Sequence, residues 1–98
     1  MPQVIFTPHA LDDLERLHTF LQDKNPEAAK QAAEAILKTI QLLEQHPELG
    51  RPIEEMDLMY REIIIQFGSS GYIARYYLAE SVVILAIRHQ KEAGYTRS

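Results

Sequence analysis

Arginine is the chemistry-bearing residue whose placement is most uneven in this chain. Five of the six, Arg51, Arg61, Arg75, Arg88 and Arg97, lie in the second half. Guanidinium groups gathered on one surface can grip phosphate or carboxylate oxygens. Residues 1–50 hold four basic and eight acidic side chains, net −4, and residues 51–98 hold six of each, net 0. That balance describes a local basic patch within a molecule of net charge −4 and pI near 5.5. A protein living on phosphate backbones usually carries an overall basic excess instead. With no cysteine there is no disulfide framework and no zinc ribbon. His9, His18 and His46 are far apart, lack metal-ligand spacing and are expected in solvent. No Gly-rich phosphate loop, nucleophile elbow or carboxylate pair is present. No metal and no cofactor are therefore expected.

The elements that must position these side chains centre on Tyr60 to His89. Three β-prone runs lie end to end there, split by Gly68-Ser69-Ser70-Gly71 and by a short turn near Ala79-Glu80. Ile63, Ile65 and Phe67 share one parity and Tyr60, Glu62 and Gln66 the other, which predicts a core face and a wetter face. Gly68 and Gly71 can supply the left-handed geometry of a hairpin loop. The last run, Val82 to Ile87, is apolar on both parities and reads as a central strand covered on both sides along part of its length.

A three-strand meander needs a cover for its apolar face, and the first half of the chain must supply it. Gln3 to Phe6 reads as a short strand joining the sheet. Thr7-Pro8 is a helix cap followed by proline at the first helical position. Asp12, Asp13 and Glu15 then suit the helix dipole. Leu11, Leu14, Leu17 or His18, and Leu21 mark an apolar stripe, with the helix running to about Asp23. Asn25-Pro26 repeats the capping signal. Ala29, Ala33, Ile36, Ile40 and Leu43 form the face of a second helix, closed by His46-Pro47 and Gly50. The short link makes the helices an antiparallel hairpin. Leu49 to Met59 reads as a polar loop.

The order is β-α-α-β-β-β, an α+β fold with a helical hairpin packed on a small antiparallel sheet. At 98 residues the chain is expected to be one domain, 1–98. No apolar run approaches the roughly 18–20 residues that span a bilayer. No secretory leader is recognisable. A cytoplasmic protein with no membrane association is the expectation.

This layout resembles the RelE/ParE superfamily, the toxins of bacterial type II toxin–antitoxin systems. The likeness is carried by Thr7-Pro8-His9-Ala10, His46-Pro47-Glu48-Leu49-Gly50-Arg51-Pro52, Tyr60-Arg61-Glu62, Gly71-Tyr72 followed by Tyr76, and Ile84-Leu85-Ala86-Ile87-Arg88-His89. It covers nearly the whole chain. The resemblance implies one of two activities. RelE-like members are endoribonucleases that cut messenger RNA in the ribosome. ParE-like members, associated with plasmid stabilisation, poison DNA gyrase without a chemical step of their own.

RNA cleavage by 2′-hydroxyl attack needs a base, cations for the phosphorane and an acid for the leaving oxygen. RelE-like enzymes place alternating lysines before the Gly-Tyr loop and an arginine just after it. Aligned on Gly71-Tyr72, those positions fall on Ile64, Gln66 and Ile73. The resemblance leaves Arg61, His89 and Tyr95 as a reduced catalytic set, and Arg61, Arg88, His89 and Tyr95 as target-binding candidates. Plainer readings stand beside these. His89 ends a buried strand and can serve backbone groups or face solvent. Arg61 can pair with Glu62, Glu54 or Glu55. Arg75 departs from the family's Tyr-Arg order and is given no role. The replaced cations favour the ParE-like branch, a toxin that binds a protein such as DNA gyrase, with the ribosome-dependent endoribonuclease as the alternative. The resemblance also implies a cognate antitoxin, whose disordered tail folds onto the toxin and which alone links it to DNA. Leu11, Leu17 and Phe20 are candidates for the groove that receives the tail, unless the core takes them.

Overall fold

Thr7 and Asn25 start the two helices through their own side chains. In the computed structural model, which describes residues 3–92, Thr7 Oγ1 accepts the Ala10 N–H at 3.1 Å and Asn25 Oδ1 accepts the Ala28 N–H at 3.2 Å. Each cap precedes a proline that has no N–H to satisfy. Helix α1 spans Pro8–Lys24 and α2 spans Pro26–Gln41. Asn25 is the whole connection: its own N–H also closes α1 on the Leu21 carbonyl at 2.7 Å. A single 3₁₀ turn, Leu42–Glu44, extends α2 toward His46-Pro47.

Five strands form one sheet: β1 (Val4–Phe6), β2 (Arg51–Pro52), β3 (Tyr60–Phe67), β4 (Ser70–Leu78) and β5 (Val82–His89), in the order β1-β5-β4-β3-β2. The expected meander is β3-β4-β5. Two expectations need correction. The sheet is mixed rather than antiparallel, because β1 runs parallel to β5 with Val4 opposite Val82 and Phe6 opposite Ile84. A parallel pair needs a long crossover, and here nearly the whole chain intervenes. The expected loop at Leu49 to Met59 also contains a strand, since Arg51 and Pro52 pair with Glu62 and Arg61.

Both helices lie on one face of the sheet. Val82, Ile84 and Ile87 of β5 are buried beneath them, with Ile63, Ile65, Tyr72, Ala74 and Tyr76. The other face has no helical layer, so Val83 and Leu85 are only half-buried. Thus β5 is central by pairing, and its second side is covered along part of its length: Ala86 is 7% exposed, while Val83 and Leu85 are half-buried. The α1 stripe is Ala10, Asp13 and Leu17, whereas Leu11 is 52% exposed. On α2 the buried face is Ala29, Ala32, Ile36 and Ile40, with Ala33 and Ala35 half-buried beside it. Gly68 adopts φ 62°, the left-handed geometry of the β3–β4 turn. Gly71 is needed for space instead: a side chain there would overlap the Ile65 carbonyl.

Tyr76 locks the His46-to-Arg51 segment onto the sheet. Its hydroxyl donates to the Pro47 carbonyl at 2.7 Å and accepts the buried Gly50 N–H at 2.9 Å. Arg61 adds Nη1 bonds to the carbonyls of Gly50 (2.7 Å) and Glu48 (3.2 Å). Burial raises the Tyr76 phenol above its ordinary 10.0, outweighing the Gly50 bond and the Arg61 charge, which lower it. The folded-state value exceeds the unfolded one, so this contribution is whole at neutral pH and is lost as pH climbs above about 10. Tyr76→Phe strands the Gly50 N–H and is expected to cost about 2 kcal/mol, read from the urea unfolding midpoint.

Candidate functional site

A groove opens between α1 and the β3–β4 turn. It has a volume of about 740 Å³ between α1 and the end of the sheet, with Leu17, Phe20 and Leu21 on one wall and Phe67, Tyr72 and His89 on the other. Arg16, Lys91 and Glu92 stand at its rim. Three of its six wall residues are aromatic or imidazole groups from neighbouring strands. Tyr72 lies 5.4 Å edge-on from the His89 ring and 6.3 Å from Phe67. Phe20 is 61% exposed, with the Lys24 ammonium 4.9 Å from its ring centre.

His89 is oriented from both sides. The Lys91 N–H donates to Nδ1 at 3.1 Å, and Nε2 lies 3.0 Å from Ser70 Oγ. A ring nitrogen that accepts a backbone N–H is bare, so the neutral imidazole carries its proton on Nε2 and donates it to Ser70. Neither nitrogen is then a free base, and the ring caps the end of β5.

Among the described residues, the sequence-derived candidates Arg61, Arg88 and His89 do not converge. Arg61 stands opposite Tyr76, whereas His89 stands in the row of Tyr72 and Ile65. Four residues along β3 separate those rows, about 13 Å. Arg61 also finds no carboxylate of the expected kind; its guanidinium holds the loop carbonyls of Glu48 and Gly50. Arg88 neighbours His89 in sequence and so projects from the opposite face. Its Nη1 binds the carbonyls of His89, Gln90 and Glu92 at 3.0–3.3 Å, winding the chain after β5 around itself. Tyr95 lies outside the described residues. Of the three groove candidates, Leu17 and Phe20 line the groove, and Leu11 does not. Phe67 and Tyr72 were missed, although Phe67 continues the core parity of Ile63 and Ile65.

The open face of the sheet carries the three positions at which RelE-like enzymes place cations. Ile64 is 42% exposed, Gln66 is exposed and Ile73 is 8% exposed. Ile64, Ile73 and Arg88 form one cross-strand row. The next row sets Glu62 against Arg75, whose Nη2 and Nε lie 3.1 and 3.3 Å from the carboxylate. That face thus presents aliphatic carbon beside a guanidinium already paired with a carboxylate.

A polar cluster of α1 seals the sheet edge that β1 leaves uncovered. β1 pairs with β5 only as far as Ile84. Beyond it, Leu85 is the extra residue of a bulge, and its carbonyl accepts from Thr7 Oγ1 at 3.2 Å. Asp13, 2% exposed, accepts the Ile87 N–H on Oδ2 at 2.9 Å. His9 and Arg16 approach its carboxylate at 3.5 Å, and Arg16 pairs with Glu92 at 2.9 Å. The sequence reading placed Asp13 among acids serving the helix dipole. It lies beyond the first turn and serves a strand. Among the described residues, no group of three or more His, Asp or Glu side chains converges as metal ligands would, and no helix is long and apolar enough to cross a membrane.

Residues 4–94 match the family model described as the ParE toxin of the type II toxin–antitoxin system parDE. Toxin RelE3 of Caulobacter vibrioides is 37% identical over 93 residues, covering 94% of this chain and 98% of that one. Toxin RelE2 of the same organism is 32% identical over 90 residues, covering 91% and 96%. A solved structure described as the chromosomal ParDE toxin–antitoxin system from P. aeruginosa superposes with a TM-score of 0.76 at 22% identity, over 91% of this chain and 96% of that one.

Proposed function

Because this chain belongs to the ParE toxin family of type II toxin–antitoxin systems, we propose that it arrests growth by gripping a protein target, DNA gyrase being the first to test. The observation that carries this reading is the open sheet face. Ile64, Gln66 and Ile73 stand where RNA cleavage would need cations. Arg75 faces Glu62, and Arg88 is engaged by the chain's own carbonyls. A crowded, charged phosphorane would find little electrostatic stabilisation there. His89 has both ring nitrogens engaged, and Arg61 is remote from it.

Membership in the family implies a cognate antitoxin. Its seat, in this reading, is the groove of Leu17, Phe20, Phe67 and Tyr72, which is long, apolar and rimmed by charge. An amphipathic segment folding as it binds would bury its apolar side there. The rival reading is a ribosome-dependent messenger RNA endoribonuclease. It is favoured by the name RelE borne by the two Caulobacter vibrioides relatives.

Purified toxin, gyrase and supercoiled plasmid separate the two. The expected result is gyrase-dependent plasmid cleavage or loss of supercoiling, with ribosome-bound transcripts left whole. Transcripts cut by the wild type and spared by His89→Ala would overturn the binding mechanism.

A further inference from the structure

Strand β3 is paired along its whole length on one side and along only part of it on the other. β4 opposes every residue from Tyr60 to Phe67, whereas β2 opposes Arg61 and Glu62. In an antiparallel ladder, successive residues turn their N–H and C=O groups to opposite sides. The tight turn at Gly68-Ser69 makes Phe67 and Ser70 a hydrogen-bonded pair, so the odd-numbered residues of β3 bond to β4 and the even-numbered ones face outward. Two bonds follow this alternation. The Leu78 N–H donates to the Met59 carbonyl at 2.8 Å, and on the outer side the Ile53 N–H reaches the Tyr60 carbonyl at 3.4 Å. Glu62 then meets Arg51. Beyond Arg51 the chain leaves the edge, and the Leu49 N–H turns back to the His46 carbonyl at 3.0 Å. The outward N–H and C=O groups of Ile64 and Gln66 are left with no strand partner among the described residues.

Sheet edges are ordinarily guarded by lysine, proline, inward charge or a bulge. Ile63-Ile64-Ile65-Gln66-Phe67 carries no charge and no proline, and its pairing with β4 is regular. Ile64 is 42% exposed. A groove of about 500 Å³ runs beside it, flanked by Leu42 and Leu49, which are 46% and 52% exposed. Unspent backbone groups in an extended row, beside aliphatic side chains, suit an added strand.

The edge is its own complement. About a two-fold axis at Ile65, a second β3 sets its Gln66 opposite Ile64 and its Ile64 opposite Gln66. The outward groups of both copies then pair with one another, and no like charges meet. The register stops short of Glu62, where β2 already lies. We propose that the chain associates with a second copy of itself through Ile64–Gln66 of β3, joining two sheets into one. A contact of three residues a side falls below the roughly 1,200–2,000 Å² of a stable interface, so the pair forms and parts with concentration. The pairing does not rest on the choice of cellular target.

Sedimentation velocity on the purified full-length chain over a concentration series is the first test. The average mass should rise from that of one chain toward that of two. Amide exchange at Ile64 and Gln66 should slow over the same range. Ile64→Lys and Ile64→Glu, at an exposed position, should each remain single chains, because the two-fold axis brings the position 64 side chains diagonally together. An equal mixture of the two variants should associate again, ammonium against carboxylate. A mass of one chain at every concentration would overturn the proposal. So would association that survives in both variants, which would place it on another surface. Exchange that is slow at every concentration would mean that the chain covers its own edge. Slowing brought only by the antitoxin would give the edge to the antitoxin instead, and either result would also overturn the proposal. The exchange series on the wild type decides the matter if the variants do not fold.

Discussion

Phe20→Asp is expected to leave a folded toxin that its antitoxin no longer neutralises, with affinity reduced about 100-fold or more, the scale of a central aromatic anchor. The reasoning begins with exposure. Phe20 shows 61% of its surface to solvent, so its replacement removes little from the core. The Lys24 ammonium over the ring is worth about 0.5–1 kcal/mol at an exposed site. In the groove it stands beside Leu17 and Leu21, facing Phe67 and Tyr72. A carboxylate placed there must lose water when an apolar helix covers it, and it takes away the ring that the helix would pack on, even with Lys24 one turn away to pair with it. Co-expression with the neighbouring reading frame, followed by growth and by titration of the purified pair, provides the readout. Undiminished rescue would show that the antitoxin docks elsewhere.

Asp13→Ala should remove about 3 kcal/mol of folding stability, measured as a lower urea midpoint. Three losses combine. The buried Ile87 N–H loses its acceptor. Arg16 loses one of its two carboxylates. The edge of β5 beyond Ile84 loses the side chain that blocks it, so the variant should also associate through that edge. Asp13→Asn keeps an acceptor oxygen and should cost clearly less. Equal stability of the Ala variant and the wild type would mean that solvent satisfies the Ile87 amide.

Much of this fold was legible because it is written in local chemistry. Thr7-Pro8 and Asn25-Pro26 cap helices in sequence as they do in space, and Ile63, Ile65 and Phe67 alternate as the pleat requires. What escaped the sequence depends on contacts across long separations. The direction of β1 is set by its partner 78 residues away. Asp13 is the clearest case: beside Asp12 it reads as one more surface acid, and only the lie of β5 makes it a buried acceptor. Leu11 failed for a related reason. The buried side of α1 runs through Ala10, Asp13 and Leu17, and leaves Leu11 turned to solvent. The groove was half visible. Its helical wall follows from the spacing of Leu17 and Phe20, but Phe67 and Tyr72 join it only once the β3–β4 hairpin has folded against α1. The site candidates Arg61, Arg88 and His89 were each conspicuous in type. None announced that its polar atoms were already committed to the backbone or to Ser70.

The pairing of Val4 with Val82 bears on synthesis. β1 cannot find its neighbour until β5, nearly eighty residues further along the chain, has left the ribosome. Until then Asp13 has no strand to meet, and the helices cover a sheet lacking the row that holds Val82, Ile84 and Ile87. A chain that lacks β5 is therefore expected to stay unfolded and inactive, and an antitoxin already present would meet the toxin as it folds.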